Sequence, residues 1–478
     1  MFYIKSFAGK RTEKVSNRKQ KALNILFIAV DDLRPELACY GNSQIISPNI
    51  DKLAANGILF ERAYCQQAVC SPSRTSLLTG LRPDSTHIYD LQTHFRKAVP
   101  DVVTLPQYFK QNGYHTEWWG KIFHAALLDS ISWTTQGQRY EPESNWRAYV
   151  SAESERMAEK NKGGGPAFEK ANVPDNAYPD GKIADNAINS LKRLKNNDKP
   201  FFLAVGFYKP HLPFNAPAKY WDLYIPASIN LPAHMYPPKN APEIAMTNWG
   251  ELRAYSGIPS KGNLTKEQTI QLIHGYRACV SYTDAQVGRL LAELKNQGLD
   301  KNTIVILWGD HGWKLGDYGA WAKHTNYEID ARVPLIVSVP GMKAKGKKTK
   351  ALVELVDLYP SLCELTGLPV PEHLQGISFV PVINNHELPW KKAAFSQYPR
   401  GNLMGYSIRT ERFRLTRWQK SNNPDEVAAV ELYDLLKDPK GLVNIADQPE
   451  NQQLIKQLGG MMKQANIGTK QVPGLLVN

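Results

Sequence analysis

The sequence lacks any apolar run of the length that a membrane-spanning helix needs, and it contains no internal repeat. Apolar segments such as residues 25–30 are far too short, because a span takes about 20 predominantly apolar residues. These absences exclude an integral helical membrane protein and argue against an array of stacked repeats. With 478 residues, the chain is expected to form one large soluble core with a smaller unit attached.

Cysteine is scarce in this chain. The five cysteines are scattered and odd in number: Cys39, Cys65, Cys70, Cys279 and Cys363. This usage argues against a disulfide framework, although the count leaves a single bridge open. Four of them are expected to be small buried hydrophobic residues, whereas Cys70 stands apart because of the residues that follow it.

The charge is not strongly of one sign once the first residues are set aside. The formal net charge is +13, but residues 1–22 hold seven Lys or Arg and one Glu, so the remainder carries +7. This mild excess is not the footprint of a nucleic-acid-binding protein. It suits an anionic substrate or an ordinary solvated basic surface, and the total alone does not separate the two.

Residues 1–22 are expected to form a disordered basic arm. The arm has no apolar segment of the kind found in signal peptides, so no signal peptide is visible. Two interpretations follow: the protein is cytoplasmic, or its true start or leader is not part of this chain.

Short apolar strands alternate with helices over the first 385 residues. The strands are predicted at 24–30, 58–64, 201–207, 303–309 and 335–339, and the helices at 48–56, 71–79, 105–112, 184–195, 265–296 and 353–366. Such alternation predicts an α/β fold with a large, mostly parallel sheet flanked by helices. The Pro- and Tyr-rich stretch 208–262 is irregular, and we expect it to wall a pocket.

The pattern changes near residue 385. Segments at 394–397, 405–410, 412–418 and 431–435, separated by turn residues, predict an antiparallel sheet with a helix at 451–464 beside it. We therefore divide the chain into the arm at 1–22, a main domain at 23–385 and a C-terminal α+β subdomain at 386–478.

Acidic residues follow two predicted strands at the point where each strand ends. Asp31 and Asp32 follow the first strand, and Asp310 with His311 follows the strand at 303–309. These side chains are expected to meet, because ligands of open α/β sheets bind beyond the carboxyl ends of the strands. Three converging carboxylates repel one another unless a divalent cation neutralises them, and oxygen donors favour Ca²⁺ or Mg²⁺ over zinc. For one such aspartate alone, a helix N-cap is the simpler interpretation.

Cys70 begins the pentapeptide Cys70-Ser71-Pro72-Ser73-Arg74, a C-x-P-x-R pattern expected at about one position in 10⁴ by chance. Pro72 places Cys70 at or just before the start of a helix, whose positive end favours an anion. Arg74 lies one turn along and points to the same end. The residues alone leave two interpretations: a thiolate nucleophile activated by the helix, or a buried structural cysteine.

The pentapeptide resembles the C-x-P-S-R motif of the sulfatases, in which the cysteine is oxidised to formylglycine after translation. From about residue 24 to 447 the chain is similar to the iduronate 2-sulfatase branch and its bacterial members. The stretches that carry the resemblance are DDLRP (31–35), SPNID (47–51), QAVC (67–70), GKIFH (120–124), KPHLPF (209–214), DHGW (310–313), WAK (321–323) and MGYSIRT (404–410). The resemblance implies an alkaline-phosphatase-like sulfatase fold in which 23–385 is the catalytic domain.

The resemblance also implies roles for the matched residues. The implied Ca²⁺ ligands are Asp31, Asp32, Asp310, His311 and the modified Cys70. Arg74 would orient the formylglycine hydrate, and Lys121 and Lys323 would contact sulfate oxygens. Together these three cations more than offset the net negative charge of three carboxylates, one Ca²⁺ and one sulfate ester.

In the implied mechanism, one hydroxyl of the hydrate attacks sulfur, and His211 protonates the departing alcohol beside Lys323. The second hydroxyl then expels sulfate, with His124 as base. A plain serine or cysteine has no second hydroxyl for this step, which is the chemical reason for the modification.

Four further residues are candidates for binding the substrate. His94 and Arg96 are candidates for binding a substrate carboxylate, but a surface loop is the favoured interpretation for each. Trp313 and His324 adjoin matched positions and are proposed to line the pocket, with burial in the core as the alternative for Trp313.

The favoured hypothesis is an exo-acting sulfatase on a sulfated sugar, such as a 2-O-sulfated uronate of a glycan-derived oligosaccharide. Its expected partners are the sulfated carbohydrate and a formylglycine-generating or anaerobic sulfatase-maturing enzyme, with no nucleic acid and no membrane span. The resemblance favours a periplasmic or secreted location. Two alternatives stay open: a phosphatase or phosphonate or phosphodiester hydrolase of the same superfamily, and a non-catalytic sulfated-glycan-binding protein with an unmodified thiol.

Overall fold

The computed structural model describes residues 22–139, 148–161, 164–421 and 423–465. All but the last residue of the predicted arm at 1–22 and residues 466–478 of the predicted C-terminal subdomain lie outside this description. The strands are β1 (Asn24–Val30), β2 (Ile58–Tyr64), β3 (His115–Gly120), β4 (Phe168–Ala171), β5 (Phe201–Phe207), β6 (Phe214–Pro217), β7 (Thr303–Gly309), β8 (Lys314–Leu315), β9 (Trp321–Ala322), β10 (Arg332–Val333), β11 (Leu335–Ser338), β12 (Lys347–Glu354), β13 (Ala394–Arg400), β14 (Leu403–Arg409), β15 (Phe413–Lys420) and β16 (Asn423–Asp434).

The helices are α1 (Pro48–Asn56), α2 (Cys70–Thr79), α3 (Pro83–Thr86), α4 (Phe95–Ala98), α5 (Leu105–Gln111), α6 (Ala152–Lys160), α7 (Pro179–Leu194), α8 (Ala218–Trp221), α9 (Gly250–Arg253), α10 (Lys266–Asn296), α11 (Glu328–Ala331), α12 (Leu358–Thr366), α13 (Val380–Asn384) and α14 (Gln452–Gln464). None of the helices in the described ranges combines the length and the apolar character needed to cross a bilayer. All five cysteines are unpaired, which settles the question of a single bridge.

The main sheet has eight strands in the order β10-β2-β11-β7-β1-β5-β3, with β12 on the far side of β2. Its centre is parallel, since β1 pairs in parallel with both β5 and β7 and β3 pairs in parallel with β5. β11 runs antiparallel to β7 and β2, and β10 antiparallel to β2. The predicted mostly parallel sheet is confirmed.

Helices cover both faces of this sheet. Successive residues of β1 point to opposite faces. Leu26 and Ile28 join the core formed with α1, α7 and α10, whereas Ile25 and Phe27 join the core formed with α2, α5 and α12. Burial on both faces explains why the central strands are continuous apolar runs.

The four antiparallel strands β13-β14-β15-β16 form a separate sheet beyond residue 385, and α14 packs on it through Leu458 and Met462. Glu328, which begins α11, joins this sheet to the main one by pairing with Arg409 and Arg414 at 3.1 and 2.7 Å. The C-terminal antiparallel sheet is confirmed, and the domain boundary at 385 stays a prediction.

Several elements differ from the prediction, among them the helix at 353–366, the strand β3, the helix α6 and the strand β16, which begins at Asn423 rather than at 431. The helix expected over 353–366 begins only at Leu358, because 347–354 is the strand β12, whose lysines gave it the composition of a loop. The strand β3 was not predicted. It lies at the outer edge of the sheet, where β5 is its neighbouring strand and an isolated bridge joins Glu117 to Thr135, and its polar and aromatic residues do not form the apolar run of a central strand.

Candidate active site

The carboxyl ends of β1, β7, β5 and β3 meet at one edge of the sheet, and the predicted acidic residues meet there. Asp31, Cys70, Asp310 and His311 place one ligand atom each within 4.8 Å of one another, and Asp32 belongs to an overlapping group. The thiol sulfur of Cys70 lies 3.2 Å from His311 Nε2. The three aspartates are fully buried, so bulk water does not solvate their carboxylates.

Arg74, one turn into α2, connects the residues of the cluster. Its Nε donates to Asp310 Oδ2 at 2.9 Å and its Nη2 to Asp31 Oδ1 at 3.0 Å. Its Nη1 donates to the backbone carbonyls of Lys121 and Ile122. The guanidinium is fully buried, so its place is fixed by these partners rather than by solvent.

Two lysines bring positive charge to the same place. Lys121 Nζ lies 2.6 Å from Asp31 Oδ2 and 3.6 Å from Cys70 Sγ. Lys323 Nζ lies 2.9 Å from Asp32 Oδ1. Gly206 permits this packing, because a Cβ there would lie 2.0 Å from the Lys121 carbonyl oxygen. The three buried aspartates therefore face three cations: Arg74, Lys121 and Lys323.

Burial and charge shift the pKa values of the cluster in opposite directions. Burial raises the pKa of Asp31, but Lys121 and Arg74 outweigh it and hold that pKa well below its ordinary value. Burial raises the pKa of Asp32 well above the ordinary value, although Lys323 opposes it. Burial and Asp31 also raise the pKa of the Cys70 thiol, which argues against a thiolate activated by the helix.

The donor set fits a hard divalent cation. Carboxylate oxygens from Asp31, Asp32 and Asp310 dominate it, with the imidazole of His311 and the side chain of residue 70 adjacent. Such oxygen-rich sets are typical of Ca²⁺ or Mg²⁺ rather than zinc.

Two histidines stand over the cluster. His124 Nδ1 is buried and has no hydrogen-bond partner among the described residues, and burial together with Lys121 lowers its pKa to about 2. His211 Nδ1 lies 2.6 Å from the Leu212 carbonyl oxygen and donates to it. The other ring nitrogen, Nε2, therefore points away from this backbone contact. Burial, Lys323 and Lys121 lower the pKa of His211 well below its ordinary value.

A cavity of about 450 Å³ opens above Cys70. Both lysines and both histidines line it, together with His324 and apolar residues such as Leu91, Pro179 and Leu212. The expectation that 208–262 walls the pocket is confirmed, since Tyr208, Lys209, His211, Leu212 and Glu251 all belong to the lining.

Glu251 is a site residue that the sequence analysis missed. Its carboxylate lies 2.9 Å from Lys323 Nζ, 3.2 Å from His211 Nε2 and 3.4 Å from His324 Nε2. No strand end, motif or periodicity distinguishes Glu251 from other acids of the irregular stretch, such as Asp222 and Glu243. Only the fold brings it to the cavity.

The structure does not bring His94, Arg96 and Trp313 to the cavity lining. Arg96 gives all five guanidinium donors to the carboxylate of Asp129, the side chain of Gln107 and the carbonyls of Pro100 and Val102. The ring nitrogens of His94 contact the Leu128 carbonyl and the Arg96 amide. This geometry favours a structural surface loop for both residues. Trp313 is fully buried, with Lys323 Nζ 4.8 Å from its ring, as the core interpretation predicts.

Comparison with known proteins identifies the family. The family model "Sulfatase" matches residues 23–368, well over half of the chain. The chain belongs to the sulfatase family. A second model, "N-sulphoglucosamine sulphohydrolase, C-terminal", matches residues 316–467 of this sulfatase.

Named relatives and solved structures support the same family assignment. The sulfatase is 34% identical to iduronate 2-sulfatase of Mus musculus, with 92% of this chain and 94% of that protein covered. A solved structure of a protein in complex with its substrate D-glucosamine-2-N,6-O-disulfate has a TM-score of 0.72 and 25% identity over 93% of this chain and 97% of that one. The phosphonate monoester hydrolase of Agrobacterium radiobacter has a TM-score of 0.75 at 23% identity, over 92% of this chain and 95% of that one, which shows the fold alone.

Membership of this family makes the protein a sulfuric ester hydrolase with an alkaline-phosphatase-like fold, as the C-x-P-S-R motif predicted. The family generally uses a metal ion and a formylglycine, and the acidic cluster beside Cys70 is a possible site for such an ion.

Proposed function

We propose that this sulfatase removes sulfate from a sulfated sugar at the end of a glycan-derived oligosaccharide, such as a 2-O-sulfated uronate. The reaction consumes one ester and one water and releases the sugar alcohol and sulfate. The observation that carries the proposal is that Lys121 and Lys323 line the cavity together with Cys70, while Arg74 is buried between Asp31 and Asp310. Such convergent cations in an enclosed site suit an anionic ester.

The relatives support a sugar as the alcohol. The mouse relative is an iduronate 2-sulfatase, and the structural neighbour is in complex with a glucosamine disulfate. The volume of the cavity, about 450 Å³, is at the lower end of the range of small-molecule sites, which suits the end of a chain better than its middle.

Two groups complete the proposed site. Formylglycine, made from Cys70 by a maturation enzyme, supplies a hydrated aldehyde as nucleophile, and Ca²⁺ held by Asp31, Asp32, Asp310 and His311 supplies positive charge for the sulfate. Arg74 anchors two of these carboxylates, so it fixes the place where both groups would sit.

The remaining residues bind charge or move protons. Lys121 lies 3.6 Å from Cys70 Sγ, Lys323 lines the same cavity, and both would hold sulfate oxygens. His211 lies on the cavity side near Lys323 and would give a proton to the departing sugar oxygen. His124, kept neutral by burial and by Lys121, would accept the proton when sulfate is released.

Mass spectrometry and sulfate release test this proposal together. The peptide spanning residue 70 should carry the aldehyde, and the protein should release sulfate from a member of a panel of defined sulfated mono- and oligosaccharides. The same assay is run on matched phosphate and phosphonate esters. Hydrolysis of these esters in preference to the sulfate esters would support the phosphohydrolase alternative. An unmodified thiol with tight binding and no turnover would instead support the glycan-binding alternative.

Cys70→Ala is the decisive variant, because alanine cannot be converted to formylglycine. Sulfate release should fall to the background rate while the unfolding temperature stays near that of the parent. Cys363→Ala is the matched control, since Cys363 is equally buried but lies in α12 and lines no part of the cavity. Turnover retained by Cys70→Ala would refute the proposal.

A further inference from the structure

Among the described residues, Glu251 is the one acid of the cavity wall that the proposed chemistry leaves without a role. It lines the cavity, and 20% of its side chain is exposed there, unlike the fully buried acids of the metal cluster. One of its oxygens is shared between Lys323 Nζ at 2.9 Å and His211 Nε2 at 3.2 Å. The other lies 3.4 Å from His324 Nε2.

The backbone that carries Glu251 is held firmly. Trp249, two residues earlier, is buried in the main core, and Leu252 after it is fully buried. Arg253 stacks on the Trp249 ring at 3.3 Å and donates to the carbonyls of Pro259 and Gly262. A side chain on such a support keeps its place, which is the requirement for orienting other catalytic groups.

A carboxylate can only accept hydrogen bonds, so Glu251 aligns the ammonium of Lys323, and it pairs with His211 Nε2 when that ring carries its second proton, as a proton donor must. His211 donates from Nδ1 to the Leu212 carbonyl, which turns Nε2 toward the cavity and Glu251. The ammonium of Lys323 donates hydrogen bonds to both Asp32 and Glu251, at 2.9 Å from each. It therefore lies between the acidic cluster and the histidine. Glu251 thus links the two groups proposed to act on the departing oxygen.

We propose that Glu251 is a positioning residue that holds His211 and Lys323 together on the leaving-group side of the sulfate ester. The inference rests on the proposed function and deepens it. Glu251 acts through its two neighbours, so its removal should matter most when the departing alcohol is a poor leaving group. An aryl sulfate with an acidic phenol leaves with little help from a proton donor.

The test compares Glu251→Gln with the parent on two esters: 4-nitrophenyl sulfate, and a 2-O-sulfated uronate saccharide or whichever sulfated sugar of the panel the parent hydrolyses. Each protein is first confirmed by mass spectrometry to carry formylglycine. For the sugar sulfate, kcat should fall about 10- to 100-fold, the range seen when an orienting partner is removed. The KM should stay within about threefold, as should kcat on 4-nitrophenyl sulfate. Glu251→Asp should recover part of the lost kcat.

Glu243→Gln is the matched control, because Glu243 is an exposed glutamate of the same irregular stretch and lies outside the cavity lining. It should match the parent on both esters. Equal losses on both esters for Glu251→Gln, a rise in KM alone, or no change at all would each overturn the assignment while leaving the sulfatase proposal standing. A parent protein that releases no sulfate from either ester would overturn the proposed function itself, and this role with it.

Discussion

Replacing Arg74 by alanine is expected to destabilise the protein much more in the absence of calcium than in its presence. Arg74 is fully buried between two fully buried carboxylates, at 3.0 Å from Asp31 and 2.9 Å from Asp310. Removal of one partner from a buried ion pair costs about 3–5 kcal/mol, because the other charge is left uncompensated. That is a large part of the 5–15 kcal/mol that holds a typical protein folded.

Calcium should offset part of this loss. A divalent cation would neutralise the same carboxylates that Arg74 neutralises, so the gain in unfolding free energy on adding Ca²⁺ should be larger for Arg74→Ala than for the parent. Denaturant unfolding in EDTA and in excess Ca²⁺, followed by tryptophan fluorescence, gives the four free energies required.

Arg412→Ala is the control for this experiment. Arg412 also makes a two-oxygen contact with a carboxylate, Asp434, but 42% of its side chain is exposed. Its removal should cost much less than the removal of Arg74, because solvent screens an exposed ion pair. A loss for Arg74→Ala no greater than that of Arg412→Ala, or an equal calcium gain in parent and variant, would refute the reasoning.

Two further predictions address the loop of Arg96 and the contact of Glu328. Arg96→Ala should keep sulfate release within about threefold but lose about 1–3 kcal/mol of unfolding free energy, since its five donors hold the loop; a selective rise in KM would instead support substrate binding. Burial raises the pKa of Glu328, but Arg409 and Arg414 outweigh it and bring it to about 2, from an ordinary 4.5. Its stabilising contribution is therefore present above pH 4.5 and lost toward pH 2, so the difference in unfolding temperature between the parent and Glu328→Gln should shrink over that window; a constant difference would contradict this.

The site residues that could be predicted from the sequence are those whose place follows directly from the end of a parallel strand or the start of a helix. Asp31 and Asp310 follow apolar runs that can only be central strands, and neighbouring parallel strands end at the same edge, so their meeting could be predicted. Cys70 was placed at a helix start by Pro72, and α2 begins at Cys70.

Residues in irregular backbone could not be placed in this way. Glu251 reaches the cavity through a turn of α9 within a stretch that has no periodicity. The loop of His94 and Arg96 was a candidate recognition site because the sequence does not distinguish an arginine that is free to bind a ligand from one whose donors are all used within the protein. The strand β12 was not predicted, because its lysines interrupt the apolar pattern, and a strand at the edge of a sheet can carry such residues.

The lysines of β12 have a bearing on how molecules meet one another at high concentration. Lys347, Lys348 and Lys350 face solvent along the outermost strand of the main sheet, and a bulge breaks its pairing with β2 between Thr349 and Leu352. A second molecule that tried to add its own strand there would have to strip water from three ammonium groups and bridge a broken ladder. Charge and irregularity at this border guard the protein against edge-to-edge aggregation.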